Sequence, residues 1–195
     1  MSAREAILGR VRENRPKGDY ALPPLPKFPL HQPGGLIASF SAMLEAMGGK
    51  LVVPTATQDV AQVIRARFPQ AGVVCSAVPE VTGDRDLSQV RQPRDLADVD
   101  VAVVRAILGV AETGSVLLTE SVLKVNTVAY LAQHLVVLLA RDAIVAGVQD
   151  AYEHPSFHTA HYAVFHTGPS ATGDIEGVLI HGAQGVRSLT VILTG

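Results

Sequence analysis

The chain has 195 residues, with 16 Lys and Arg against 18 Asp and Glu and a formal net charge of −2. That length suffices for one domain with a full core, and the charge argues against the basic face that nucleic-acid binding requires. Hydrophobic residues make up 48% and charged residues 17%, a soluble globular profile low enough in charge that a partner or a second copy is expected to cover some apolar surface.

Residues 2–14 predict a short amphipathic helix, with Ile7, Leu8 and Val11 on one face and Arg4, Glu5, Arg12 and Glu13 around it. Residues 16–33 carry Pro23, Pro24, Pro26 and Pro29, so extended chain is expected there. Leu22, Leu25, Phe28 and Leu30 make this stretch too apolar for a free linker. It reads as an arm lying across its own domain or across a neighbouring copy. The expected division is therefore 1–33 as helix and arm, and 34–195 as a single α/β domain. The N-terminus lacks the apolar core of a secretory signal, and no apolar run approaches the ~20 residues of a membrane span. A cytoplasmic location is expected.

From residue 36 the pattern becomes regular. Residues 36–47 fit a helix with Phe40, Met43, Leu44 and Met47 on one face, ended by Gly48 and Gly49. Residues 51–53 fit a buried strand stopped by Pro54. Residues 58–68 fit a second helix with Val60, Val63, Ile64 and Phe68 inward, and residues 72–76 a second strand. Such alternation marks an α/β fold, a mainly parallel sheet with helices on both faces. Residues 79–98 read as a polar surface connection with one helical turn near Leu96. Strands are expected at 99–105, 116–118 and 135–139, with a short helix at 125–131 and another helix at 142–152. Further strands are expected at 161–166 and 189–193. Between these last two, residues 167–187 read as a sharp turn, a short helix and a glycine-rich turn.

The one cysteine, Cys75, sits in an apolar run and reads as a buried structural thiol. Alone it can form neither an internal disulfide nor the thiolate set of an iron–sulfur cluster. No cofactor is implied. His154, His158 and His161 stand at helical spacing, but Pro155 breaks any continuous helix face, so no metal site is assigned. His134 reads as structural.

Two stretches could carry chemistry. In the first, Glu112 sits between apolar strand-like runs, followed by Thr113, Gly114 and Ser115. A carboxylate at a strand end beside a glycine turn can act as base, nucleophile or acceptor, or can simply satisfy nearby backbone N–H groups. In the second, Gly168 and Pro169 force a turn, and Ser170 or Thr172 can cap a helix. Asp174 and Glu176 would then complement the helix dipole, and at most one of them could face a pocket. Gly182 and Gly185 lack the following helix of a dinucleotide fingerprint. Gln184 could offer a donor, and Arg187 an anion clamp or a surface ion pair. Glu112 and the 168–174 turn are expected to line one pocket.

These motifs in combination resemble the LUD domain. The elements are AETGS at 111–115, QHLVVLLARDAIV at 133–145 and GPSATGDIEGVLIHGAQGVRSLTVIL at 168–193. They are most similar to the lactate-utilisation protein C branch, small and without clusters, and the resemblance runs from about residue 34 onward. It implies a fold of the NagB/RpiA/CoA transferase-like class with a pocket at strand ends. It also implies a part in oxidising L-lactate to pyruvate beside iron–sulfur partner subunits, with no redox centre in this chain. Glu112, Thr113, Gly114, Gly168, Pro169, Ser170, Thr172, Asp174, Ile175 and Glu176 match the family pattern. Gly173 stands where Ala is usual, and Gln184 and Val186 replace a usual His and Pro. Two other readings stay open. One is an isomerase- or CoA-transferase-like enzyme acting on a small anionic metabolite, with Glu112 as base or nucleophile. The other is a regulatory subunit that binds a small carboxylate. In either case the ligand would be a small anionic or hydroxylated metabolite, and a homo-oligomer is compatible with the apolar composition.

Overall fold

The structure is a computed structural model that describes residues 2–18, 21, 23 and 25–195, with the backbone alone at Ile175. Leu22 and Pro24 of the expected arm lie outside the described residues. The first helix, α1 (Ala3–Glu13), is closed by a reciprocal cap. The Ser2 hydroxyl accepts from the Glu5 amide at 3.2 Å, and the Glu5 carboxylate accepts from the Ser2 amide at 2.6 Å. None of its residues is buried.

Next come α2 (Leu36–Ala46), β1 (Lys50–Val52), α3 (Val60–Arg67) and β2 (Val74–Ser76). The Phe40 and Leu44 side chains of α2 are fully buried. Asp59 and Gln62 cap the start of α3 reciprocally. The polar connection contains 3-10 turns at Leu87–Gln89 and Pro93–Leu96. Then follow β3 (Val101–Arg105), β4 (Leu108–Val110), β5 (Ser115–Thr119), α4 (Glu120–Leu123), α5 (Val128–Leu131) and β6 (His134–Ala140). The chain closes with β7 (Ile144–Val145), α6 (Val148–Tyr152), α7 (Pro155–Thr159), β8 (Ala163–His166), β9 (Ala171–Ile175), β10 (Val178–His181) and β11 (Ser188–Thr194).

The main sheet has five parallel strands in the order β1-β11-β6-β3-β2. The three central strands, β3, β6 and β11, read as nearly continuous apolar runs because both their faces are buried. On one face Val101, Val103, Val136, Leu138 and Ile192 meet Val63 and Ile64 of α3. On the other, Ala102, Val104, Leu135, Val137, Leu139, Leu189 and Val191 pack with Phe40 and Leu44 of α2 and with Val116 and Leu118 of β5. The expected mainly parallel sheet with helices on both faces is observed.

A second sheet, β7-β4-β5-β8, lies over the α2 side and mixes parallel and antiparallel pairs. Its outer face packs Leu108, Val110 and Leu117 against Ala151 of α6 and Phe157 of α7. The two sheets come close at Gly109, where an added Cβ would lie 2.8 Å from Leu139 Cδ2 and 3.1 Å from Phe40 Cε2.

Two expected elements are corrected. Residues 142–152 do not form one helix. Ile144 and Val145 pair with Gly109 and Val110 as β7, and Gly147 then starts the shorter α6. The edge pairing satisfies backbone groups that a helix would otherwise use. Residues 171–181 contain no helix either. They form an antiparallel hairpin, β9 with β10. Glu176 (φ 54°) and Gly177 (φ 69°) both adopt the left-handed turn that matches hairpin twist. The Thr172 hydroxyl bonds the Asp174 carboxylate at 3.0 Å instead of capping a helix.

The proline-rich arm crosses its own domain at α6. The Lys27 ammonium is 2.9 Å from Asp150 and 2.6 Å from Glu153, Gln149 donates to the Pro26 carbonyl, and Gln32 to the Ala146 carbonyl. Among the described residues no helix is long and apolar enough to cross a membrane.

Candidate functional site

The β4–β5 turn is built by glycine. Gly114 has φ +66°, and a Cβ there would sit 2.2 Å from the Leu44 amide nitrogen. Only glycine allows both that backbone and that approach to α2. The Gly114 amide donates to the Val110 carbonyl at 2.9 Å, and the Glu112 amide to the Ala146 carbonyl at 3.0 Å. The Glu112 side chain points along the same direction and accepts from the Val148 amide at 2.9 Å. It thereby occupies the start of α6 and lines a cleft of about 440 Å³ with Lys27, Phe28, Leu30 and Asp150.

The turn after β8 mirrors this arrangement. Gly168 has φ +61°, and a Cβ there would lie 2.1 Å from the Met47 carbonyl oxygen. Pro169 packs against Gly48, with 3.3 Å between Pro169 Cδ and the place of a Gly48 Cβ. Both glycine turns therefore seat on the last turn of α2. A hydroxyl chain joins them: Thr113 Oγ1 is 2.8 Å from Ser115 Oγ, which in turn is hydrogen-bonded to Thr167 Oγ1. Ser115 is buried, so its hydroxyl is satisfied within this chain of partners.

The 168 turn opens into a different cleft from that of Glu112. It measures about 250 Å³ and is lined by Tyr130, His166, Thr167, Gly168, Pro169, Ser170, Gln184 and Gly185, among others. Ser170 is held at both backbone groups: its amide donates to the Val186 carbonyl at 2.9 Å, and its carbonyl accepts from Gly182 at 2.6 Å. The expectation of one shared pocket gives way to two neighbouring clefts. Glu112 is drawn off by the start of α6, while the 168 turn faces Tyr130.

The lining of the smaller cleft is uncharged. Burial holds the His166 imidazole below its ordinary 6.5, so the ring is neutral near pH 7. Burial and the hydrogen bond to the Tyr162 hydroxyl push the Tyr130 phenol up, and it stays protonated. The Tyr130 and His166 rings stack at 5.9 Å. A neutral imidazole, a phenol, two hydroxyls and a carboxamide suit a small hydroxylated ligand.

Other expected site residues lie elsewhere. Asp174 and Glu176 are exposed on the projecting hairpin, and neither lines the cleft. Thr172 bonds Asp174 and faces the ribbon. Arg187 extends past Gly182 into a third cleft with Arg67, Phe68 and His134. Among the described residues no three His, Cys, Asp or Glu converge as a metal site. Tyr130, His166 and Thr167 are cleft residues that motif reading passes over. The one available signal is the apolar strand ending in histidine, threonine and glycine.

The LUD domain family model matches residues 81–194, more than half of the chain. The chain belongs to the LUD domain family. Members of this family are associated with lactate utilisation in general. No curated protein matches the sequence. A crystal structure of a DUF162 family protein from Deinococcus radiodurans is similar, with TM-score 0.65 and 16% identity. The match covers 82% of this chain and 96% of that one, and at this identity it bears on the fold alone. The matched region of the LUD chain contains the Glu112 turn, Tyr130, the whole 168–187 stretch and β11.

Proposed function

We propose that this LUD domain protein is a cytoplasmic component of L-lactate oxidation to pyruvate that binds a small 2-hydroxy acid or its keto product in the Tyr130–Ser170 cleft. In this reading residues 34–195 are the single folded unit, and residues 1–33 are its helix and strap. The family match over residues 81–194 carries the proposal. The cleft supports it through its size and its uncharged donors and acceptors, which can meet a hydroxyl and a carboxylate together. The 195 residues hold one cysteine, which is fully buried, so they cannot supply the thiolates of a cluster. In this reading the electrons pass to iron–sulfur partner subunits, as the family resemblance implies. A second reading, with Glu112 as a base or nucleophile, is less favoured because its carboxylate already caps α6.

The test is an NMR titration of the purified protein with L-lactate and pyruvate that follows the His166 ring, together with a lactate-oxidation assay. The expected result is a saturable shift at His166, no oxidation by the chain alone, and oxidation when iron–sulfur partners are added. An unmoved His166 ring, or oxidation by the isolated chain, would overturn the reading.

A further inference from the structure

The amino ends of β3, β6 and β11 lie side by side in the main sheet, at Val101, His134 and Ser188. There the end of α3 brings Arg67 and Phe68 over His134, and the loop before β11 brings Arg187. Together they line a cleft of about 470 Å³, a size suited to a small metabolite.

We propose that this cleft binds a small oxyanion, a carboxylate or a phosphate, between Arg67, Arg187 and His134. Each group is positioned but left with side-chain nitrogens that bond no described residue. Arg67 Nε donates to the buried Thr190 hydroxyl at 2.8 Å, which fixes the guanidinium while its terminal nitrogens bond no described residue. The Arg187 side chain makes no hydrogen bond or ion pair with a described residue, and its backbone is held by the Gln133 carbonyl at 2.8 Å. The His134 ring is set by Nδ1 to the Ser188 hydroxyl at 2.8 Å and by stacking on Phe68 at 4.7 Å. This leaves Nε2 available. The Arg67 guanidinium lies 5.7 Å from the same Phe68 ring. Arginine forks are suited to the paired oxygens of carboxylates and phosphates.

One carboxylate also lines the cleft, that of Asp100. Its Oδ2 is already engaged by the amides of Gly72 at 2.7 Å and Val73 at 2.9 Å. Two guanidiniums against one committed carboxylate leave the cleft positive. The same charges act on His134: burial lowers its pKa first, Arg187 lowers it further, Asp100 opposes, and Arg67 adds to the lowering. An anion bound here offsets that repulsion and draws the imidazole pKa back up.

The experiment is an NMR titration of the full chain with inorganic phosphate and, separately, with acetate, using chloride at matched ionic strength as control. The His134 ring signal is expected to move saturably with phosphate, acetate or both, and not with chloride. The preferred anion identifies the ligand class. Arg187→Gln and Arg67→Gln should each weaken the preferred anion about tenfold or more, since a charge-assisted bond is lost. Arg187 is exposed, so its variant tests the site without disturbing the fold. Ser170→Ala should leave the His134 response unchanged. His166 reports on the other cleft, so either reading can fail alone. A response that does not saturate, equals that of chloride or survives both arginine substitutions would overturn the proposal.

Discussion

The Glu112 carboxylate accepts a 2.9 Å hydrogen bond from the Val148 amide, 36 residues further along the chain. It thus ties the β4–β5 turn to the first turn of α6 and satisfies an amide with no partner inside that helix. Glu112→Ala is expected to cost about 0.5–2 kcal/mol, the range of a lost helix cap, and Glu112→Gln less. Urea unfolding measures both. Equal stability of the alanine variant and the parent would show that the bond carries nothing.

The two glycine turns on α2 should be intolerant of any side chain. An alanine at Gly168 would place Cβ 2.1 Å from the Met47 carbonyl oxygen at φ +61°, and one at Gly114 would meet Leu44 at φ +66°. The left-handed backbone costs about 1–2 kcal/mol, and the overlap adds about 1–3 kcal/mol. Thermal unfolding of Gly114→Ala and Gly168→Ala should show a large drop. Gly173→Ala, with open space around it, should show almost none.

What could be read from the residues depends on how local the deciding interactions are. The β6 run, HLVVLLA, announces itself because both of its faces are buried, and β3 and β11 share that property. The 171–181 ribbon does not. Ser170, Thr172 and Asp174 imitate a helix start, yet Ser170 is committed by the Val186 carbonyl and the Gly182 amide, both more than ten residues away. The second sheet is hidden for a similar reason, since β4 and β7 are too short to carry a pattern. The glycines of both turns are legible as turns, but their contact with α2 is not. Tyr130 meets His166, and Arg67 meets Arg187, only through the fold.

Stability should fall as the solution is acidified past neutrality. Burial depresses the folded-state pKa of His166 below its ordinary 6.5, so the unfolded chain takes up that proton first as pH falls. The contribution is complete above about pH 6.5 and is lost progressively below it. His134 acts in the same direction. Each group sets a slope of at most about 1.4 kcal/mol per pH unit. Unfolding at pH 7.5 and 5.5 should show the decline, and His166→Phe should reduce it. A slope unchanged by that substitution would assign the effect elsewhere.

The strap at Lys27 should matter little to global stability. Its ion pairs with Asp150 and Glu153 are solvent-exposed, and such pairs are screened by water and salt and contribute little. Lys27→Ala is expected to leave the unfolding midpoint nearly unchanged. It should speed hydrogen exchange at residues 25–32, and added salt should do the same in the parent. Unchanged exchange would mean that Gln32 and Leu30 hold the strap by themselves.

Asp174→Ala is expected to fall within about 0.5 kcal/mol of the parent, because Asp174 is exposed and bonds only its neighbour Thr172.

The order β1-β11-β6 places residues 188–194 between a strand from the first third of the chain and one from the last third. During synthesis, β1 leaves the ribosome with no neighbour to pair with. At about 5–20 residues per second it waits on the order of ten seconds for β11 to arrive. Throughout that interval its backbone amides and carbonyls are open to chaperones and to other nascent chains, for longer than those of any other strand in the main sheet.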